Sequence, residues 1–373
     1  MTRALCLALT FAGLGACEFS PPVEAPDDGA WLEPWTHRKA VTLLASEIEA
    51  PGNGALDGFP VLVSVTDPQL GATALASGDD LVFTADDGTT LLATDLESFS
   101  ASGELVAWVK VPSLSATVDT TLYVYYGHAT PPARTPEAVW TDHAAVWHLG
   151  DDPGPGNPGE IRDATSGSHD GTADGRLVTT DSVAGQIGRG IMFDDEFLQF
   201  GQLDTGNTFT ISMWIRFAGG SDIKTLIANS ASGRDTDGYR LFVNSFEMAD
   251  SKLVLETGNG SGGSSRKAQT APGAIPIGTF AHVAAVVDRS TATAMLVVNG
   301  ESVAVETAVA TNFKTNSDLE VARMKDTFLH FPGALDQVEV SRTQRSIEWL
   351  RTAFRNQSRP DAFHRLGPEQ LQP

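Results

Sequence analysis

The stretch Thr208-Phe-Thr-Ile-Ser-Met-Trp-Ile-Arg-Phe217 decides the fold class. Its residues alternate between apolar and polar with no helical period, the pattern of a β-strand that faces a core. Similar segments follow it: Tyr239-Arg-Leu-Phe-Val243, Lys252-Leu-Val-Leu-Glu256, Ala281-His-Val-Ala-Ala-Val-Val-Asp288 and Ala294-Met-Leu-Val-Val-Asn299. Asn299-Gly300 signals a type I′ hairpin, because both central residues tolerate positive φ. The run Gly258-Asn-Gly-Ser-Gly-Gly-Ser-Ser265 reads as a flexible loop. One helix is expected near the end. Ser346 can cap it, Glu348 sits in its first turn, and Ile347, Leu350, Ala353 and Phe354 share a face.

Towards the N-terminus the same style recurs. Lys39-Ala-Val-Thr-Leu-Leu44, Phe59-Pro-Val-Leu-Val-Ser-Val65, Asp80-Leu-Val-Phe-Thr84, Val106-Ala-Trp-Val-Lys-Val111 and Thr121-Leu-Tyr-Val-Tyr-Tyr126 are short strands punctuated by Gly, Asp and Pro turns. The Pro-rich Thr130-Pro-Pro-Ala-Arg-Thr-Pro136 reads as a linker. The expected fold is therefore all-β: two antiparallel β-sandwich domains over residues 35–129 and 139–358, a linker at 130–138, and a C-terminal tail at 359–373.

The chain opens with Met1-Thr-Arg3, an apolar stretch to Ala16, and Leu14-Gly-Ala-Cys17. That order describes a signal peptide over residues 1–16. Leu-Gly-Ala-Cys resembles a bacterial lipobox, which implies that the Cys17 thiol carries lipid. Residues 17–34, rich in Pro and acid, then read as a disordered tether. The expected location is the cell envelope of a Gram-negative bacterium, at the outer membrane because Glu18 replaces the Asp of inner-membrane retention. No cysteine follows Cys17, so no disulfide is expected within the mature chain. The net charge of −22 excludes general nucleic-acid binding, which needs clustered Lys and Arg against phosphate.

The second half resembles the laminin-G-like branch of the concanavalin A-like jelly rolls. Ala145-Val-Trp-His-Leu149, Asp163-Ala-Thr-Ser-Gly167, Val183-Ala-Gly-Gln-Ile-Gly-Arg-Gly-Ile-Met-Phe193, Phe209-Thr-Ile-Ser-Met-Trp-Ile215 and Gly333-Ala-Leu-Asp-Gln-Val-Glu-Val-Ser341 carry the likeness. The first half resembles a bacterial domain of unknown function numbered 2341. Arg38-Lys-Ala-Val-Thr42, Asp79-Asp-Leu-Val-Phe83, Trp108-Val-Lys-Val-Pro112 and Leu122-Tyr-Val-Tyr-Tyr-Gly127 carry that one. In some relatives this pair forms the external part of proton-channel energisers of the ExbB/TolQ kind.

The jelly-roll resemblance implies either binding or glycoside hydrolysis. Hydrolysis needs paired carboxylates across a groove, and the usual strand with two Glu flanking an Asp is missing. No Gly-x-Ser-x-Gly elbow or His-Glu-x-x-His motif occurs, so the chain reads as non-catalytic. Calcium is the one cofactor to weigh, since it takes oxygens from carboxylates and loop carbonyls. The resemblance makes Asp336 a candidate ligand with Asp163 as companion; the alternative for both is loop-pinning hydrogen bonds. Asp235-Thr-Asp237-Gly238 is a fragment of a calcium-loop pattern. Tyr239, beside the flexible loop, is the candidate exposed platform for a sugar ring, with Asp235 and Asp237 adjacent. Trp147, Trp214 and Trp108 belong in cores, His282 is expected as a hydrogen-bonded core residue, and Trp31, Trp35 and Trp140 fall in linkers or at domain edges. The leading expectation is a lipid-anchored binding or adhesion protein whose partner is a glycan or an envelope protein. A trans-envelope accessory subunit and a glycosidase relative are the alternatives.

Overall fold

The computed structural model describes residues 30–230 and 237–373. Four antiparallel sheets form two sandwiches. In the first, a five-stranded sheet runs in the order His364–Leu371, His37–Leu43, Thr120–Tyr126, Val82–Thr84, Leu91–Leu92. It packs on a three-stranded sheet of Ala55–Thr66, Glu104–Ser115 and Thr94–Phe99. Val41, Phe83 and Leu122 from one sheet meet Phe59, Val61 and Val109 from the other. In the second sandwich, Thr208–Phe217 lies between Phe280–Asp288 and Gly333–Ser341 in an eight-stranded sheet facing a seven-stranded one. Its core holds Trp147, Phe209, Ile211, Met213, Ile215 and Phe217. Asn299 and Gly300 both have positive φ, 51° and 77°, and join Thr293–Val298 to Glu301–Glu306 as the hairpin signal required. The all-β architecture agrees with the sequence. Among the described residues no helix is long and apolar enough to cross a membrane.

The C-terminal boundary needs correction. Residues 359–373 are not a tail. Pro360–Phe363 forms a short helix, and His364–Leu371 is an edge strand of the first sandwich, paired antiparallel with His37–Leu43 so that His37 faces Leu371 and Leu43 faces His364. Phe363 is fully buried in the first core, with Leu366 packed beside it. Gly367-Pro368 hides the strand from pattern reading, yet proline is tolerated at an edge, where one side of the backbone has no partner. The second sandwich is therefore inserted ahead of the last strand of the first. At the other terminus Trp31 and Leu32, expected in the tether, pack against Tyr125 and Arg38, so these two residues belong to the first sandwich.

The sandwiches stack face to face. Leu62, Trp108 and Asp95 form one cross-strand row on the outer face of the three-stranded sheet. Leu62 and Trp108 share a buried cluster with Val139, Trp140, Val146, Ile187 and Trp214. Trp214 was expected inside a sandwich; it lies instead between domains, because it points opposite to Met213 and Ile215. Its ring stacks on Phe354 at 5.8 Å and its indole N–H donates to Gln357 Oε1 at 2.7 Å. Each of these buried tryptophans contributes about 4–6 kcal/mol by area, as an upper figure.

The expected helix spans Ile347–Ser358, and the Ser346 hydroxyl accepts from Trp349 N at 3.2 Å. It serves both sandwiches. Leu350 packs on Ala284, Val286 and Val297 of the second, and Ala353 joins the core of the first. Asn356 completes the edge at Leu62, accepting from its N–H at 2.7 Å and donating to its carbonyl at 2.9 Å. Arg351 and Arg355 both pair with Glu49.

Candidate functional site at the domain junction

A cleft of about 470 Å³ opens where the two sandwiches meet. Its floor begins with the strand Thr94–Phe99, whose Asp95 and Glu97 stand two residues apart and turn away from the first core towards the second sandwich. His148 meets them from just beyond the strand His143–Trp147, on the same outward side as Val146.

His148 Nε2 lies 3.0 Å from Asp95 Oδ2, and Nδ1 lies 2.6 Å from Gln337 Oε1 and 3.6 Å from Glu97 Oε2. Two indoles brace the acids from below. Trp140 Nε1 donates to Asp95 Oδ2 at 2.8 Å, and Trp108 Nε1 donates to Glu97 Oε2 at 3.0 Å. Burial alone would favour neutral imidazole, but the Asp95 hydrogen bond and the charges of Glu97 and Asp95 outweigh it and push His148 up to about 10. Burial opposes the Asp95 anion too, yet the His148 bond and charge hold its pKa below the ordinary value. Glu97 has no such direct bond to the imidazole, and burial raises it. At neutral pH the floor is thus an imidazolium–carboxylate pair with a second carboxyl beside it.

Asp336 lies under this floor, fully buried in Gly333–Ser341 opposite Trp214. Its Oδ2 accepts from Ile187 N at 2.8 Å, whereas Oδ1 has no hydrogen-bond partner, and burial raises its pKa well above the ordinary value. Asp163 has no capacity left. Oδ1 accepts from Val146 N at 3.0 Å and Thr165 N at 2.9 Å; Oδ2 accepts from Thr165 Oγ1 at 2.8 Å and His169 N at 2.9 Å. Asp163 thus pins its loop through three amides and one hydroxyl, while Asp336 places one oxygen on an amide. Among the described residues no group of three His, Cys, Asp or Glu side chains is arranged to hold a metal.

Tyr239 is not an exposed platform. It is fully buried between Phe209 and Phe313, because its parity on Asp237–Val243 is that of Leu241 and Val243. Its hydroxyl finds no partner there. Asp237 pairs with Lys314 at 2.5 Å. Asp235 and Cys17 lie outside the described residues. His282 is buried as expected, against Trp214 and Phe354, but its Nδ1 has no hydrogen bond and burial pushes its pKa down to about 4.

Sequence reading overlooked Asp95, Glu97, His148 and Gln337 and placed Trp140 at an edge. One local signal existed: Asp95-Leu-Glu97 puts two acids on one side of a strand. Nothing local marks their partners, which arrive from the other domain.

The molecule is thus a two-domain β-sandwich protein with its polar centre at the domain junction and a second unit of the concanavalin A-like class. Comparison gives that class its names. Residues 194–350 match the model of the concanavalin A-like lectin/glucanases superfamily in its laminin-G form, and residues 77–151 match the domain of unknown function 2341. The second match runs through the linker into His143–Trp147 and includes Asp95, Trp108, Trp140 and His148. No curated protein is detectably similar in sequence. The Ruminococcus gnavus IT-sialidase CBM40 is 17% identical over 44% of this chain and 96% of its own, with a TM-score of 0.36. The binding domain of Paraclostridial Mosquitocidal Protein 1 is 14% identical over 56% and 51%, TM-score 0.42. The Botulinum Neurotoxin Type G receptor binding domain is 12% identical over 58% and 52%, TM-score 0.41. At this level of similarity nothing about ligands carries over.

Proposed function

We propose that this is a lipid-anchored, non-catalytic binding protein of the bacterial envelope that takes a carbohydrate in the junction cleft. The observation that carries this reading is a solvent-open cleft wall of polar side chains that no group among the described residues engages closely. Ser98 and Glu137 line it, and their side chains make no hydrogen bond or ion pair among the described residues. Arg162 also lines it, with its side chain 81% exposed and only a loose 3.7 Å contact to Asp151. Sugar hydroxyls both donate and accept, so a wall of carboxylate, hydroxyl and guanidinium suits them. Asp95 and Glu97 are tied to His148 and two indoles, which favours holding a ligand over proton transfer.

The anchored reading rests on Leu14-Gly-Ala-Cys17, followed by the Pro-rich and acidic segment that leads to the first strand. The test is a glycan array probed with full-length Cys17→Ser protein, which should partition out of the detergent phase and still bind saccharide. Binding to no glycan would sink the carbohydrate reading, and a mature N-terminus other than Cys17 in the wild type would sink the anchor.

A further inference from the structure

The acceptor capacity of the junction is not used up. Asp95 and Glu97 arrive from the first sandwich and Asp336 from the second; His148 is the cation beside Asp95, while burial raises the pKa of both Glu97 and Asp336. Asp95 is committed to His148 and Trp140. Glu97 is not. Its side chain is 6% exposed, Oε2 accepts from Trp108, and Oε1 accepts no hydrogen bond among the described residues. That oxygen faces Gly188, where an added Cβ would stand 2.6 Å away, and both residues line the cleft.

The rim repeats the pattern. Glu137 is unpaired there, while the Arg189 guanidinium turns back on its own hairpin, donating to Ser182 Oγ at 2.7 Å and Ser182 O at 2.5 Å. Glu97 and Glu137 face the cleft with acceptor capacity, whereas of its two guanidiniums Arg189 is turned aside and Arg162 extends into solvent. A carboxyl with a raised pKa and a free oxygen is stabilised by a proton or by a charged or strongly donating partner. The described residues hold no three-ligand set for a metal ion. A ligand that meets the Glu97 and Glu137 carboxylates brings its own donors and bulk, as an ammonium on an organic molecule does, and about 470 Å³ accommodates one or two sugar rings.

We propose that the junction cleft selects an amine-bearing saccharide, with the ligand ammonium seated on Glu97 Oε1 and the Glu137 carboxylate at the rim. This rests on the reading of the cleft as a saccharide site. The probes are a fully deacetylated glucosamine tetramer and its N-acetylated counterpart, titrated calorimetrically into full-length Cys17→Ser protein at pH 7 and fixed ionic strength. The deacetylated tetramer should bind at least tenfold more tightly. Glu97→Gln should reduce that preference to about twofold or less, and Glu137→Gln, at an exposed position that cannot unfold the junction, should reduce it partly. Glu306→Gln, on an exposed edge away from the cleft, controls for attraction to the acidic chain and should leave the preference whole. Equal or tighter binding of the acetylated tetramer overturns the amine inference and leaves the cleft reading standing. A preference that survives both cleft substitutions in folded protein, or falls with Glu306→Gln, also overturns it. Binding of neither tetramer together with a blank glycan array means that the cleft reading itself has failed.

Discussion

The two sandwiches are closed in different ways. The second is built from one continuous stretch, from His143 to Ser341, with Thr208–Phe217 at its centre. The first lacks an edge until the end of the chain returns, after the whole second domain, to lay His364–Leu371 against His37–Leu43. Continuous closure lets a domain fold on local information. Discontinuous closure makes one domain depend on the correct completion of the other, and the Ile347–Ser358 helix, buried against both, carries that dependence.

The largest expected effect breaks this comparison at Phe363. Its side chain is fully buried in the first core, so Phe363→Ala should cost about 3–5 kcal/mol, cavity included. The loss should fall on the first sandwich. Hydrogen exchange should show faster opening of Thr120–Tyr126 while Thr208–Phe217 stays protected. Equal loosening of both strands would show that the sandwiches unfold as one unit, and no loosening would show that the returning segment contributes nothing.

The difference between the halves also explains what the sequence could reveal. Strands with one face buried announce themselves by alternation, and nearly all of the second sandwich does so. The returning strand does not, because Gly367-Pro368 erases its pattern and its partner lies at the opposite end of the chain. Trp214 was legible in principle: it shares parity with Thr210, Ser212 and Arg216, so a large aromatic on a polar side signalled a covering element. Tyr239 misled because its glycine-rich neighbourhood outweighed a parity shared with Leu241 and Val243. His148, Asp95 and Glu97 could not be assembled at all, since no spacing rule links acids on one domain to a histidine on another.

A middle-sized effect is expected where the halves are joined by charge. His148→Gln removes the cation between Asp95 and Glu97 and leaves both acids buried, which should cost about 3–5 kcal/mol at pH 7. The sign with pH follows from the raised folded pKa. The contribution of His148 is whole below its unfolded value near 6.5 and is lost as pH rises through about 10. Denaturant unfolding of wild type and variant should therefore differ most at pH 6 and converge towards pH 10. A constant gap across that range would mean that the imidazole acts by packing alone. If the junction couples the sandwiches, the variant should also show two transitions where the wild type shows one.

The smallest expected effect concerns calcium and the two acids proposed from sequence. An ion bound only to the folded state adds RT ln(1 + [L]/Kd), about 2.7 kcal/mol at a hundredfold excess. For a chain of this size each kcal/mol moves the midpoint by roughly 2–4 °C, so a real site would shift melting by several degrees between EDTA and millimolar calcium. Asp163 already accepts four hydrogen bonds, and Asp336 is held as a buried acid with one oxygen on Ile187 N. Binding calcium would require Asp163 to surrender amide bonds that fix the loop beneath Trp147, whose indole N–H donates to His169 O at 2.9 Å. The expected difference is accordingly less than a degree, and Asp336→Asn should leave it unchanged. A shift of several degrees that vanishes in Asp336→Asn would restore the metal and give the second sandwich a source of stability that the first lacks.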